Sequence, residues 1–306
     1  GGPRAFKYGV TRDYVLGLET ILMDGSVMRM GRRTAKGVAG YDLTSLMVGS
    51  EGTLGVFSEI TVKLIPKPES IATILALFSN VNAAGAAVER ILGNGFTPRC
   101  LELADHSALL AMRANGLSVD DRAGAMLVIE VDGSIAACEE HMVRVSDSCD
   151  GPDCIDLLVA QDPAQRDRLW AARHQLSPSI RKLSKFKLSE DVVVPRSQIP
   201  NLLQLVQNIS DKTKVRQVAY GHAGDGNLHV NFLWDEVDDV PKVKCAIEML
   251  MRAVVGLGGT ISGEHGIGVL KRPFLSLEQS SGLIELQKQL KSLFDPRALL
   301  NPGKIF

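Results

Sequence analysis

The sequence carries no excess of charge of either sign: across 306 residues the formal net charge is -1. That removes the electrostatic footprint expected of a nucleic-acid binder or of a protein held on an anionic membrane. No apolar run approaches the roughly 20 residues of a membrane span, and no basic-then-apolar leader pattern opens the chain. Cysteine is scarce and odd in number, with five residues at 100, 138, 149, 154 and 245. No C-x-x-C pair occurs, and Cys149 and Cys154 have no second pair with which to complete a zinc site. Buried free thiols in a reducing cytoplasm are the expectation. A G-x-G-x-x-G fingerprint, an internal repeat and a low-complexity segment are all missing. So is an initiator methionine: the chain opens on Gly1-Gly2-Pro3, and a strand pattern follows almost at once.

What remains is an ordinary soluble composition, 45% hydrophobic and 23% charged, long enough for two domains on the usual scale of ~100–200 residues each. Residues 14–23 alternate and run into Asp24-Gly25, after which Ser26 to Met30 alternates back, predicting a hairpin. Asp42 is a suitable N-cap for a short helix through Met47. The stretch Gly49-Ser50-Glu51-Gly52-Thr53-Leu54-Gly55 follows. Its glycines let backbone approach a ligand and present N–H groups to anionic oxygens; a tight packing turn is the plainer alternative. A strand from Val56 to Ile65 closes on Pro66-Lys67-Pro68, and Pro66 to Ser70 marks a domain boundary. Strands and helices then alternate from Ile71 to about Ala160. They lack the continuous apolar strands of a doubly wound parallel sheet. The pattern predicts an α+β domain with a mainly antiparallel sheet and helices on one face. One long helix is expected over 163–185, bent near Pro178, and another from Pro273 to about Phe294.

The densest chemistry lies at Gly221-His222-Ala223-Gly224-Asp225-Gly226-Asn227-Leu228-His229-Val230-Asn231. A second cluster, Ser262-Gly263-Glu264-His265-Gly266, follows after one helix-length segment. A core has little use for so many unpartnered polar groups, each costing about 1–3 kcal/mol when buried without a bond. Val215 to Tyr220 and Leu228 to Leu233 read as the arms of a hairpin whose turn contains Asp225-Gly226. His229 and Asn231, two apart, leave one face of their strand. The turn would bring His222 beside His229. Two imidazoles with Glu264 form a two-His, one-carboxylate set suited to a divalent transition metal with open positions. Histidines that cap turns or bind carbonyls are the plainer reading. Arg173, on a helix with Leu169 and Trp170, is either a surface cation or a planar fork for a substrate carboxylate. Lys182, Lys185 and Lys187 form a local basic run of the kind that usually faces solvent. The tail, Phe294 to Lys304, is irregular because of Pro296, Pro302 and Gly303, and could simply be packed down for stability.

Four stretches together, Gly40-Tyr41-Asp42 with Gly49 to Gly55, Gly221 to Asn231, Ser262 to Gly268, and Asn301-Pro302-Gly303-Lys304, resemble the FAD-linked oxidases of the vanillyl-alcohol oxidase type. Within that family the D-2-hydroxyacid dehydrogenases are the nearest group. The resemblance covers the whole chain and implies the C-terminal part of a PCMH-type FAD-binding domain in residues 1–68. A substrate and metal domain with its C-terminal tail would occupy residues 69–306. It also implies a start inside the FAD domain, hence an N-terminally truncated chain. By the same resemblance His222, His229 and Glu264 hold a divalent metal, zinc in many such enzymes. His265 is the general base, and Arg173, Asn231 and, less well matched in spacing, Lys187 contact the substrate. Gly49, Ser50, Glu51, Gly52, Gly55 and Val56 lie along FAD, with Asn301 near the flavin. The implied reaction is oxidation of a D-2-hydroxy acid, glycolate or D-lactate foremost, to the 2-oxo acid. The implied partners are an electron-accepting protein or quinone, and a partner subunit or the N-terminal half. The location would be cytoplasmic, or peripheral at the inner membrane through the electron acceptor. A metal-dependent hydrolase without flavin and an inactive fragment are the rivals.

Overall fold

The computed structural model describes residues 1–306. In chain order the first elements are α1 (Ala5–Tyr8), β1 (Val15–Ile21), β2 (Val27–Gly31), α2 (Leu43–Met47), β3 (Val56–Val62), β4 (Ser70–Phe78), α3 (Val81–Gly93), β5 (Cys100–Ala104) and α4 (His106–Ala114). Next come β6 (Ala125–Gly133), α5 (Ile135–Cys149), β7 (Cys154–Val159), α6 (Pro163–His174), α7 (Leu176–Arg181), β8 (Phe186–Val193) and α8 (Ile199–Thr213). The last are β9 (Arg216–His222), β10 (Asn227–Trp234), α9 (Val240–Gly256), α10 (Leu275–Glu278) and α11 (Ser281–Phe294). They fall into two compact units. One comprises Gly1, Gly9–Pro66 and Glu264–Phe306, the other Gly2–Tyr8 and Lys67–Gly263.

The first unit is built on a three-stranded antiparallel sheet in the order β2-β1-β3. The expected Asp24-Gly25 hairpin joins β1 to β2, with Leu18 opposite Met30. Asp42 caps α2 as its short polar side chain predicts, accepting a hydrogen bond from the Ser45 N–H. Leu18, Met47 and Leu54 are buried together, with Phe57 and Phe294 against them. The helix expected from Pro273 to Phe294 is divided: α10 ends at Glu278, and Ser280 accepts from the Leu283 N–H to start α11 afresh. An N-cap serine inside an apolar periodicity is a boundary that the periodicity alone does not show.

The second unit carries a seven-stranded antiparallel sheet in the order β7-β4-β6-β5-β9-β10-β8. Helices lie on both of its faces, not on one as the alternation predicted. Leu75, Leu77, Met126, Val128, Val218 and Tyr220 form one buried cluster with residues of α4 and α7. The intervening residues Ile74, Ala76, Leu101, Leu127 and Ile129 are buried as well, and α3, α5, α8 and α9 pack against the strands in addition. Strands β4 and β6 are nearly continuous apolar runs, so each exposes two faces that need cover. The helix expected over 163–185 is two helices meeting at Gln175. Pro178 lies in the first turn of α7, where the absent N–H leaves no partner unsatisfied, so it starts a helix instead of bending one. Beside β5 and β6, Lys7 and Tyr8 of α1 both donate to the Asp132 carboxylate, which Arg99 also reaches at 3.4 Å.

Candidate metal and flavin site residues

The central polar cluster of the second unit sits on the β9–β10 hairpin and the strands beside it. The turn closes with the Gly226 N–H on the His222 carbonyl at 3.1 Å. Gly226 has φ +82°, and a Cβ there would lie 2.0 Å from the Val194 carbonyl oxygen, so only glycine fits. The register sets Asn227 opposite His222 and His229 opposite Tyr220. The two imidazoles therefore share a face, edge to face with ring centroids 5.4 Å apart. Glu102 of β5 pairs with His222 across the next ladder, and Asp191 of β8 pairs with His229 on the other side. Cross-strand partners point to the same face, so the geometry gives each imidazole its own carboxylate.

Those carboxylates sit at the Nδ1 side of each ring. The His222 Nδ1–H donates to Glu102 Oε1 at 2.5 Å; Glu102 Oε2 accepts from the Arg173 Nε–H at 2.7 Å. His229 Nδ1 lies 3.9 Å from Asp191 Oδ1. Asp191 is fully buried and accepts from Asn227 Nδ2 at 2.6 Å, the Gly263 N–H at 2.8 Å and Ser262 Oγ at 3.3 Å. Sequence reasoning missed both Glu102 and Asp191. Asp191 had a signal in its place at a strand end before Val192-Val193-Val194; Glu102, in an apolar pentapeptide, had one only as a lone acid in a core strand.

The expected substrate residues separate. Arg173 is near the cluster, its guanidinium 4.8 Å over the Tyr220 ring and its Nε–H on Glu102. Asn231 is fully buried, and its Nδ2 donates to the carbonyls of Val218 and His229 at 3.1 Å each. Two carbonyl partners fix which amide atom is nitrogen; its Oδ1 is a buried acceptor with no partner. Lys187 stands apart, four residues along β8 from Asp191, or about 13 Å at strand rise. Its ammonium bonds Ser177 Oγ at 3.1 Å, and burial, with Arg181 beside it, lowers its pKa. Glu264 and His265 belong to the first unit and are exposed; Glu264 directly follows Gly263 in the chain.

Two paired imidazoles backed by carboxylates at Nδ1 are a donor set that fits a divalent metal, because that arrangement directs Nε2 lone pairs away from the carboxylates. The 49–55 loop of the first unit gives a second fit. Gly49 and Gly52 adopt φ +90° and +71°, and Ser50 is buried with a hydroxyl that has no partner, an orphan that a bound polar group would satisfy. Gly55 instead serves packing: a Cβ there would lie 2.5 Å from Thr20 Cγ2. Val56, at the start of β3, is exposed. The Glu51 side chain turns to protein, accepting from the backbone N–H groups of Ile267 and Gly268 at 2.7 Å each. Asn301 donates through Nδ2 to the Glu51 carbonyl, so the tail fastens this loop.

Residues 67–305 match the family model described as FAD linked oxidases, C-terminal domain. The chain belongs to that family. Among curated members that this FAD-linked oxidase chain resembles, the glycolate oxidase subunit GlcD of Bacillus subtilis (strain 168) is 41% identical over 309 residues, covering 100% of this chain and 66% of that protein. GlcD of Escherichia coli (strain K12) is 37% identical, covering 99% and 61%. A D-lactate dehydrogenase of Anaerostipes hadrus is 33% identical, covering 100% and 66%. The chain thus spans 61–66% of the length of these three relatives. Among solved structures, p-cresol methylhydroxylase with substrate bound superposes with TM-score 0.72 at 13% identity, covering 96% of this chain and 65% of that one. Alkyldihydroxyacetonephosphate synthase superposes with TM-score 0.70 at 19% identity, covering 99% and 56%. These two establish the fold, and they bear out the expected PCMH-type class. No helix is long and apolar enough to cross a membrane.

Proposed function

We propose that this chain serves the FAD-dependent oxidation of a D-2-hydroxy acid, glycolate or D-lactate, to its 2-oxo acid, with a divalent metal, zinc, held by His222, His229 and Glu264. The observation that carries the reading is the buried pair of imidazoles, His222 hydrogen-bonded at Nδ1 to Glu102 and His229 with its Nδ1 3.9 Å from Asp191. Relatives named for glycolate and D-lactate chemistry support it. The metal when bound supplies a Lewis acid toward the hydroxyl and carboxylate oxygens; FAD when bound supplies the two-electron acceptor.

The chain's own residues do the rest. Arg173 uses its guanidinium edge away from Glu102 to hold the substrate carboxylate. Asn231, with both amide hydrogens committed, offers Oδ1 as an acceptor for a hydroxyl. His265 takes the hydroxyl proton, a task suited to an imidazole near neutral pH. Gly49, Ser50, Gly52, Val56 and Asn301 line FAD; Glu51 and Gly55 contribute by shaping and packing that loop, and Lys187 stays outside the substrate contacts. The division at 1–68 and 69–306 is supported by a family match over residues 67–305, while the compact units group Glu264–Phe306 with Gly9–Pro66. An electron-accepting protein or quinone, a partner subunit or N-terminal half, and a cytoplasmic or peripheral inner-membrane location complete the reading.

The test is an anaerobic titration of the chain, loaded with FAD and zinc and desalted, with glycolate and D-lactate while the flavin bands are recorded. Bleaching by a D-2-hydroxy acid supports the reading. Retained flavin that no D-2-hydroxy acid bleaches contradicts it, and zinc retained without flavin would limit this chain to the metal and substrate half.

A further inference from the structure

We infer that Glu102 is a positioning residue that fixes, with one carboxylate, both the tautomer of His222 and the placement of Arg173. The inference rests on the metal-site reading above and adds a residue to it. Glu102 is 1% exposed and lies in β5 between Leu101 and Leu103, two core residues. A charge in such a place is tolerated only when its lone pairs are met, and here they are met from two directions. Oε1 accepts from His222 Nδ1–H at 2.5 Å and Oε2 from Arg173 Nε–H at 2.7 Å. The first bond puts the ring proton of neutral His222 on Nδ1, the tautomer in which Nε2 is the ligating nitrogen. The second aims the guanidinium, which also rests 4.8 Å over Tyr220, and makes a charge-assisted bond with the Glu102 carboxylate. The ligand and the substrate clamp thus share one carboxylate through its two oxygens.

Glutamine keeps the shape of this side chain but has one acceptor oxygen where two are needed. In Glu102→Gln either Arg173 loses its acceptor or the amide donates to His222 Nδ1 and forces the proton onto Nε2. The experiment is zinc affinity by competition titration for the wild-type chain, Glu102→Gln and His222→Ala, with histidine ring tautomers read from 15N-labelled apo protein. The expected result is the Nδ1–H tautomer at His222 in the wild type, and zinc binding weakened about 10- to 100-fold in Glu102→Gln with the fold retained. Unchanged zinc affinity in a folded Glu102→Gln, or an Nε2–H tautomer at His222 in the wild type, overturns the inference; the tautomer measurement needs no variant to fold. If the wild type binds no zinc, the metal reading fails, while the tautomer still decides the role of Glu102. If His222→Ala loses zinc and Glu102→Gln does not, the metal reading stands and this inference falls.

Discussion

Glu51 and Gly268 are joined by a hydrogen bond of 2.7 Å from the Gly268 N–H to Glu51 Oε2, across 217 positions of sequence, and the neighbouring Ile267 N–H takes the other carboxylate oxygen. Glu51 itself holds φ +52°, a left-handed conformation that costs a non-glycine residue on the order of 1 kcal/mol or more. The bond pair offsets that strain. Glu51→Ala is expected to lower unfolding stability by about 2–3 kcal/mol, since two charge-assisted bonds are lost. Denaturant titration checks it; a change under 0.5 kcal/mol would mean that the turn after His265 holds itself.

Asp191 gathers three donors from Asn227, Gly263 and Ser262. Asp191→Ala removes the acceptor shared by buried Asn227, half-buried Ser262 and exposed Gly263, and Asn227 keeps the Val192 carbonyl, so a loss of about 1–3 kcal/mol is expected. A calorimetric melt reads it directly, and an unshifted transition would show that water replaces the carboxylate.

Gly226 sets the hairpin that brings the imidazoles together. Gly226→Ala adds a strained φ and a methyl 2.0 Å from the Val194 oxygen, for a cost of about 2–4 kcal/mol. Weakened zinc binding should accompany the lower melting temperature, because His222 and His229 flank the turn. Retained stability and affinity would show that the turn re-forms without glycine.

Most of this arrangement was open to reading before any coordinates. The hairpin turn, the shared face of His229 and Asn231 and the approach of His222 follow from strand periodicity and the Asp225-Gly226 signal. Helix interruptions at Gln175 and Ser280 were not legible, since apolar periodicity runs through both. Nor were the partners of the histidines: Glu102 is paired with His222 across a ladder between β5 and β9, and such register is set by the whole sheet's packing, which no local window contains. The same limit hid the use of the Glu51 side chain on Ile267 and Gly268.

His265→Ala is expected to slow turnover by about 100-fold or more, the usual reach of a general base, while zinc content stays near that of the wild type. Steady-state kinetics alongside elemental analysis measure both. Equal loss of zinc and rate would reassign His265 to the metal itself.

The most direct test of the central claim is the zinc content of the chain after loading and exhaustive dialysis, compared with His222→Ala and His229→Ala. The account predicts about one zinc per wild-type chain and an affinity weaker by on the order of 100-fold or more in each variant, with circular dichroism unchanged. A wild-type chain that retains no zinc, or folded variants that retain it as well as the wild type, would contradict it.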